Sequence, residues 1–298
     1  MKTKIIFAAF FLLFLFTFKF SMPTPSAAVP RLEAKEEKKI NPNIFAKSAF
    51  VFDILENEVI YEKNSLEPHP LASVAKLMTV LLLEESDKIP DYIAISEVAV
   101  SQPEGEGLRT GDDIKKDDLE RLILAASSND AAWAAAEFLG KSADDFAFMM
   151  NERARLMDLK SLTFFNPNGL DIIDASVREP GAVGNASDIG KLFIYLFKNH
   201  PKLLDMTRAY SIDVQEKSGR IIHARNTNEA FGRIPQLIGA KTGFTKVAGG
   251  NLVFIFDAGL YHPILVSILG STEKGRFDDA ETIVNAILKY YQEKNSTI

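Results

Sequence analysis

The apolar positions of this chain fall into three kinds of pattern. Between Lys47 and Asn64 the stretch SAFVFDILENEVIYEKN holds two short strand-like runs joined at the turn-prone Glu-Asn-Glu, which predicts a hairpin. A helical block follows: the segment around LASVAKLMTV to about Glu85, then KKDDLERLILAAS (115–127), NDAAWAAAEFLG and SADDFAFMMNERARLMDL. The last of these opens on Ser142 with Asp145 three residues on, the spacing of a capping box with Asp in place of Glu or Gln. ASDIGKLFIYLFKNH is amphipathic, with Ser187 the expected N-cap. From 237 to 270 the β-branched and aromatic runs LIGAKTG, GNLVFIFDAG and HPILVSILG, separated by glycines and turns, return to strand. The closing RFDDAETIVNAILKYYQEK places its acids early and its lysines late, as a helix dipole favours. Strands at both ends of the chain thus flank a helical middle, which predicts one sheet built from both ends, covered by helices, with a helical insertion over about 72–200.

The first residues follow a different logic. Lys2 and Lys4 precede an apolar run from Ile5 to Phe18, and small residues follow at Ser26, Ala27 and Ala28, the plan of a secretory signal cleaved after Ala28. An uncleaved N-terminal anchor is the alternative, and in either case the body of the protein is expected outside the cytoplasm, in the cell envelope. Residues 29–45 are charged and proline-bearing without apolar period and read as a linker, leaving 46–295 as the folded domain. The formal charge of −6 over 298 residues falls to −9 without residues 1–28, which carry three lysines and no acid. Such a balance speaks against nucleic acid as a partner. The absence of cysteine excludes disulfides, thiol catalysis and thiolate metal sites, so the hydrophobic core must hold the fold together. His69, His200, His223 and His262 are scattered without metal-ligand spacing, and no cofactor or metal is expected.

Candidate chemistry begins with Ser73 and Lys76, three residues apart and on one face if the segment is helical. Ser-x-x-Lys is common, about one copy by chance in a chain of this composition, and Ser271 with Lys274 is a second copy, read as a solvated loop. The first copy differs because Leu71, Val74, Leu77, Met78 and the run from Val80 to Leu83 surround it with apolar side chains. A lysine buried there is costly unless partnered, and the same burial lowers its pKa towards that of a usable base. The plainer reading is a lysine snorkelling from a half-exposed helix. Ser127 and Asn129 sit at the junction of two helical runs, where they either cap a helix or face a cleft. Lys241, Thr242 and Gly243 end a strand-like run, where glycine would let a ligand approach closely.

Ser-x-x-Lys, Ser-x-Asn and Lys-Thr-Gly in this order form the signature of penicillin-binding proteins and class A β-lactamases. With AFVFDILENEVIYEKN, LASVAKLMTVLLLEE, GLRTGDDIKKDDLERLILAASSNDAAWAAAEFLG, LTFFNPNGLD and RNTNEAF, the sequence resembles the D-alanyl-D-alanine carboxypeptidases among the low-molecular-mass penicillin-binding proteins, from about Lys47 to the C-terminal helix. The resemblance implies an α+β fold of the β-lactamase/transpeptidase type, a mainly antiparallel sheet covered by helices. It also implies a peptidoglycan stem peptide ending in D-Ala-D-Ala as substrate and β-lactams as acylating ligands.

On that resemblance Ser73 is the nucleophile and Lys76 its base, kept neutral in an apolar, cation-rich site to which Lys241 contributes. Ser127 relays a proton, Asn129 holds Lys76 and the substrate amide, and Lys241 with Thr242 binds the terminal carboxylate. The backbone amides of Ser73 and Phe244 form the oxyanion hole. Two positions depart from the family pattern, Ala75 where threonine is usual and Ser128 where glycine is usual, and altered packing or rate is expected from them. No additional β-rich domain with a membrane-binding tail is expected, so any membrane tether falls to the N-terminus. A D,D-endopeptidase would use the same residues. A β-lactamase is disfavoured by Ser128 and by the lack of a deacylating glutamate in FFNPNGLD, and a non-catalytic wall-binding or sensor protein would keep the fold without turnover.

Overall fold

The computed structural model describes residues 39–87, 90–174 and 177–296. The expected signal or anchor, 1–28, and the first part of the expected linker lie outside them. Strands β1 (Ser48–Asp53) and β2 (Glu58–Lys63) form the expected hairpin, and β3 (Leu237–Thr245), β4 (Gly249–Asp257) and β5 (Pro263–Ser271) form a second antiparallel run. They join into one five-stranded antiparallel sheet in the order β3-β4-β5-β1-β2, so β1 pairs with β5 although they are distant in sequence. The sheet is buried on both faces, which is why its strands read as nearly continuous apolar runs. Phe50, Phe52, Val253, Ile255 and Leu265 face the helical lobe, while their neighbours Ala49, Val51, Phe254, Ile264 and Val266 pack against the C-terminal helix.

The helical lobe is built from α1 (Lys76–Glu84), α2 (Lys116–Leu124), α3 (Asn129–Gly140), α4 (Ala143–Leu156) and α5 (Ala186–Asn199), and α6 (Gly275–Ser296) covers the opposite face of the sheet. Helix α1 carries apolar residues around most of its circumference because all of its residues but Leu82 and Glu84 are buried. Ser142 caps α4 as expected and pairs with Asp145. The cap of α5 is Asn185, not Ser187: Asn185 is extended and its side chain accepts from Asp188 N at 2.7 Å, whereas Ser187 already lies in the first helical turn. Two more expectations need correction. Ser271 of the second Ser-x-x-Lys copy is buried and donates to Asp279 at 2.6 Å, so only Lys274 there faces solvent. The last residues of the expected linker belong to the fold: Ile40 and Ile44 are buried against the sheet, and Lys39 N donates to Ile60 O at 3.0 Å. Among the described residues no helix is long and apolar enough to cross a membrane.

Ser73 lies on a 3-10 turn, Ala72–Ala75, that runs directly into α1. Several contacts press this turn into place. Asn251 of β4 donates to Pro70 O and Leu71 O at 2.9 and 3.0 Å, and Thr79 Oγ1 donates to Pro167 O at 2.5 Å. Gly169 has φ +75°, and a Cβ there would stand 2.0 Å from Ala72 O. Gly169→Ala therefore combines a left-handed alanine with a backbone clash, and is expected to cost roughly 2–4 kcal/mol. A lowered urea midpoint together with slower chemistry at Ser73 is the expected result.

Candidate active site

The start of α1, the junction between α2 and α3, and the edge strand β3 converge. Lys76 Nζ lies 2.9 Å from Ser73 Oγ, 2.6 Å from Asn129 Oδ1, to which it donates, and 3.4 Å from Ser127 Oγ. Lys241 Nζ donates to the same Ser127 Oγ at 2.8 Å and to Thr242 O at 2.9 Å, so one hydroxyl bridges two lysines. Both lysines are fully enclosed, with exposures of 0% for Lys76 and 1% for Lys241, and Ser73 keeps 8%. Thus Lys76 does not snorkel; it is buried among polar partners.

The local sequence accounts for this geometry. Ser127 sits at φ +61°, a conformation that turns the chain sharply between α2 and α3. Ser128 then caps α3 by accepting from Ala131 N at 3.0 Å, which leaves Ser127 and Asn129 on either side of it free of the capping role. Ser128 is fully buried, and its hydroxyl donates to Asp130. On β3, Gly243 makes room for the serine turn: a Cβ there would stand 2.8 Å from Leu71 O and 3.0 Å from Val74 N. Thr242 is buried and shares a hydrogen bond with Thr227, while Phe244 stands half out at 39% exposure beside the cleft.

Burial pushes the Lys76 amine down to about 7, against the upward pull of Glu104, Asp130 and Glu106. Desolvation is the largest influence favouring its neutral form, the acids on one side act against it, and Lys241, which shares Ser127 Oγ with Lys76 and repels it, lies on the other side. Lys241 is held well below the ordinary lysine range by burial, then by Lys76 and by Arg276. Glu106 is pushed up to about 7 by burial and by Asp130, with Lys76 acting the other way. The cleft is polarised, acids on the 104–106 side and cations on the β3 side.

Some of these groups escaped sequence reasoning. Arg276, buried at the start of α6, donates to Gly243 O at 2.8 Å. A cation in the first turn of a helix runs against the dipole and was a usable signal. Asn251, a polar residue inside an apolar strand, was another. Glu104, Glu106 and Thr227 carry no local signal.

The profile of the D-alanyl-D-alanine carboxypeptidase family matches residues 34–270. The chain belongs to this family. Among its relatives, the D-alanyl-D-alanine carboxypeptidase DacF of Bacillus subtilis is 30% identical over 271 residues, covering 88% of this chain and 68% of that protein. A D-alanyl-D-alanine endopeptidase of Haemophilus influenzae is 31% identical over 215 residues, covering 70% of each. Among solved structures, penicillin-binding protein D2 of Listeria monocytogenes in its ampicillin-bound form superposes with a TM-score of 0.66 at 28% identity, covering 83% of this chain and 98% of that one. The family fold is the expected one, an antiparallel sheet with helices on both faces and a helical lobe inserted between its two halves.

Proposed function

We propose that this protein is a serine D,D-carboxypeptidase that removes the terminal D-alanine from peptidoglycan stem peptides and is acylated by penicillins. The observation that carries the reading is the 2.9 Å approach of Ser73 Oγ to a lysine amine that burial brings down to about 7. A neutral amine has two hydrogens and one lone pair. Asn129 Oδ1 and Ser127 Oγ are placed to take the hydrogens, leaving the lone pair for the Ser73 hydroxyl proton.

In this mechanism Ser73 Oγ bonds to the carbonyl carbon between the two D-alanines as its proton passes to Lys76. The oxyanion is held by the backbone amides of Ser73 and Phe244, a contribution on the order of 3 kcal/mol. The C–N bond then breaks, and Ser127, bridging the two lysines, passes a proton to the departing D-alanine nitrogen. Lys241 and Thr242 hold the terminal carboxylate, and Asn129 also orients the substrate amide. That carboxylate favours the charged form of Lys241, so binding settles the positive charge there while Lys76 stays a base. Water finally attacks the acyl-enzyme and releases the shortened peptide.

The H. influenzae relative favours a second reading on the same residues, cleavage of cross-links between stem peptides. For location, the reading is export by residues 1–28, cleaved or retained as a membrane tether, to the cell envelope, either the periplasm or the outer face of the cytoplasmic membrane. Incubation with benzylpenicillin and intact-mass analysis tests the chemistry: a lasting adduct on the peptide bearing Ser73 is expected, together with D-alanine release from a synthetic pentapeptide. Rapid drug hydrolysis would indicate a β-lactamase, and neither adduct nor hydrolysis would indicate a non-catalytic binder. Release of peptide from cross-linked dimers without free D-alanine would favour the endopeptidase.

A further inference from the structure

Asn129 presents its carbonyl end to Lys76, yet an amide side chain can rotate by half a turn and present its NH2 end instead. What decides the orientation lies outside the three motifs. Asn129 Nδ2 donates to Pro103 O at 2.8 Å, and a carbonyl can only accept, so the NH2 end is drawn to Pro103 and Oδ1 is left for Lys76. Pro103 belongs to a stretch, QPEGEG, exposed except at the half-buried Gln102 and Glu106, with no helix or strand of its own. Its position needs an explanation.

Asp130 supplies one. It is 1% exposed, and its Oδ2 accepts from Glu106 N at 3.1 Å, while Oδ1 accepts from Ala131 N at 2.8 Å and from the Ser128 hydroxyl. The stretch lies flat on this carboxylate: a Cβ at Gly105 would stand 2.9 Å from Asp130 Oδ2. Segment 102–106 is thus held at its start by Gln102, which donates to Ala99 O and Val98 O and accepts from Asn168, and beyond it by Pro103 on Asn129 and Glu106 on Asp130, with Glu104 between these last two at φ +58°. We propose that Asp130 is a positioning residue for acylation: it clamps segment 102–106 onto the start of α3, so that the Pro103 carbonyl fixes the Asn129 amide with its oxygen on Lys76.

The clamp also has an electrostatic consequence. The charged groups that face Lys76 are Glu104 and Glu106 from the segment, Asp130 from α3 and Lys241 from β3, with Arg276 of α6 behind Lys241. Removing an anion from this set lets Lys76 lose its proton more readily, so the rise of acylation with pH moves to lower pH. That shift follows from the lost charge whatever else Asp130 does, so the clamp is read from the acylation rate at the alkaline plateau, where Lys76 is neutral in both proteins.

The proposal rests on the reading of Ser73 and Lys76 given above. Asp130→Asn and Gly105→Ala are made in the full chain, and the second-order rate of acylation by benzylpenicillin is followed across pH alongside the melting temperature. An asparagine cannot accept on both sides, so Asp130→Asn is expected to slow acylation by roughly 10- to 100-fold and to move the pH limb down. Gly105→Ala leaves Asp130 and α3 intact but pushes the segment off the carboxylate. It is expected to slow acylation by about 10-fold with the melting temperature kept within about 2 °C. Asp130→Asn reaching the wild-type rate at the alkaline plateau overturns the proposal, and if this variant does not fold, Gly105→Ala acylating at the wild-type rate overturns it alone. Wild type acylated on Ser73 beside unaffected variants sinks only the clamp, whereas wild type that is not acylated removes the underlying reading and the clamp with it.

Discussion

Ser73→Ala abolishes both the benzylpenicillin adduct and the release of D-alanine, and leaves the melting temperature within about 2 °C of wild type. The loss is total because the acyl bond has no other oxygen to form on. Ser127 Oγ, the next hydroxyl, accepts from Lys241 at 2.8 Å and stands only 3.4 Å from the Lys76 amine. The fold is spared because Ser73 contributes no cap to its turn, and Lys76 retains its 2.6 Å hydrogen bond to Asn129 when the serine hydroxyl is gone. Intact mass with peptide mapping reads the outcome. An adduct of normal yield on another residue would show that the nucleophile lies elsewhere.

Lys76→Met has the second largest effect. It fills a similar volume and removes the base, and acylation at slightly alkaline pH is expected to fall by about 10³-fold. The pH dependence carries the sharper information. Wild-type acylation should rise as Lys76 deprotonates through about 7 and then level off, whereas the Met variant should lack that limb.

Stability responds in the same region with a definite sign. Burial brings Lys76 down to about 7 in the folded chain from an ordinary 10.5, so between these two the unfolded chain binds more protons than the folded one. Its contribution therefore lowers stability progressively as pH falls from about 10.5 to about 7, and the penalty is constant below that. In Lys76→Met this contribution disappears, and the gap in melting temperature between variant and wild type should shift in the variant's favour as pH falls through the window. A gap that does not change with pH would place the lysine in water rather than in the core.

The strands and helices of this protein are legible in its sequence because each announces itself within a few residues. SAFVFD and GNLVFIFD are apolar on both faces because the sheet is covered on both, and the apolar α1 is enclosed for the same reason. Boundaries were less legible. Asn185 displaced Ser187 as a cap because both are good caps, and only the extended backbone at Asn185 decides between them. The hairpin Ser211–Gln215 with Ile221–Arg225 is absent from the expected elements, although Ile212, Val214, Ile222 and Ala224 alternate inward as a half-buried hairpin requires.

The candidate site divides along the same line. Residue types and their order, Ser73 with Lys76, Ser127 with Asn129, and Lys241 with Thr242, are properties of the chain, and so is the apolar company of Lys76. Their meeting is not. Lys76 reaches Asn129 across 53 positions, and Lys241 reaches Ser127 across 114, because a strand from the far end of the chain forms the sheet edge on which the serine turn rests. The proton affinity of Lys76 and the acidic wall of Glu104, Glu106 and Asp130 belong to the same category. A charge's energy depends on everything that surrounds it in space, and neighbours in space are assigned by packing rather than by adjacency along the chain.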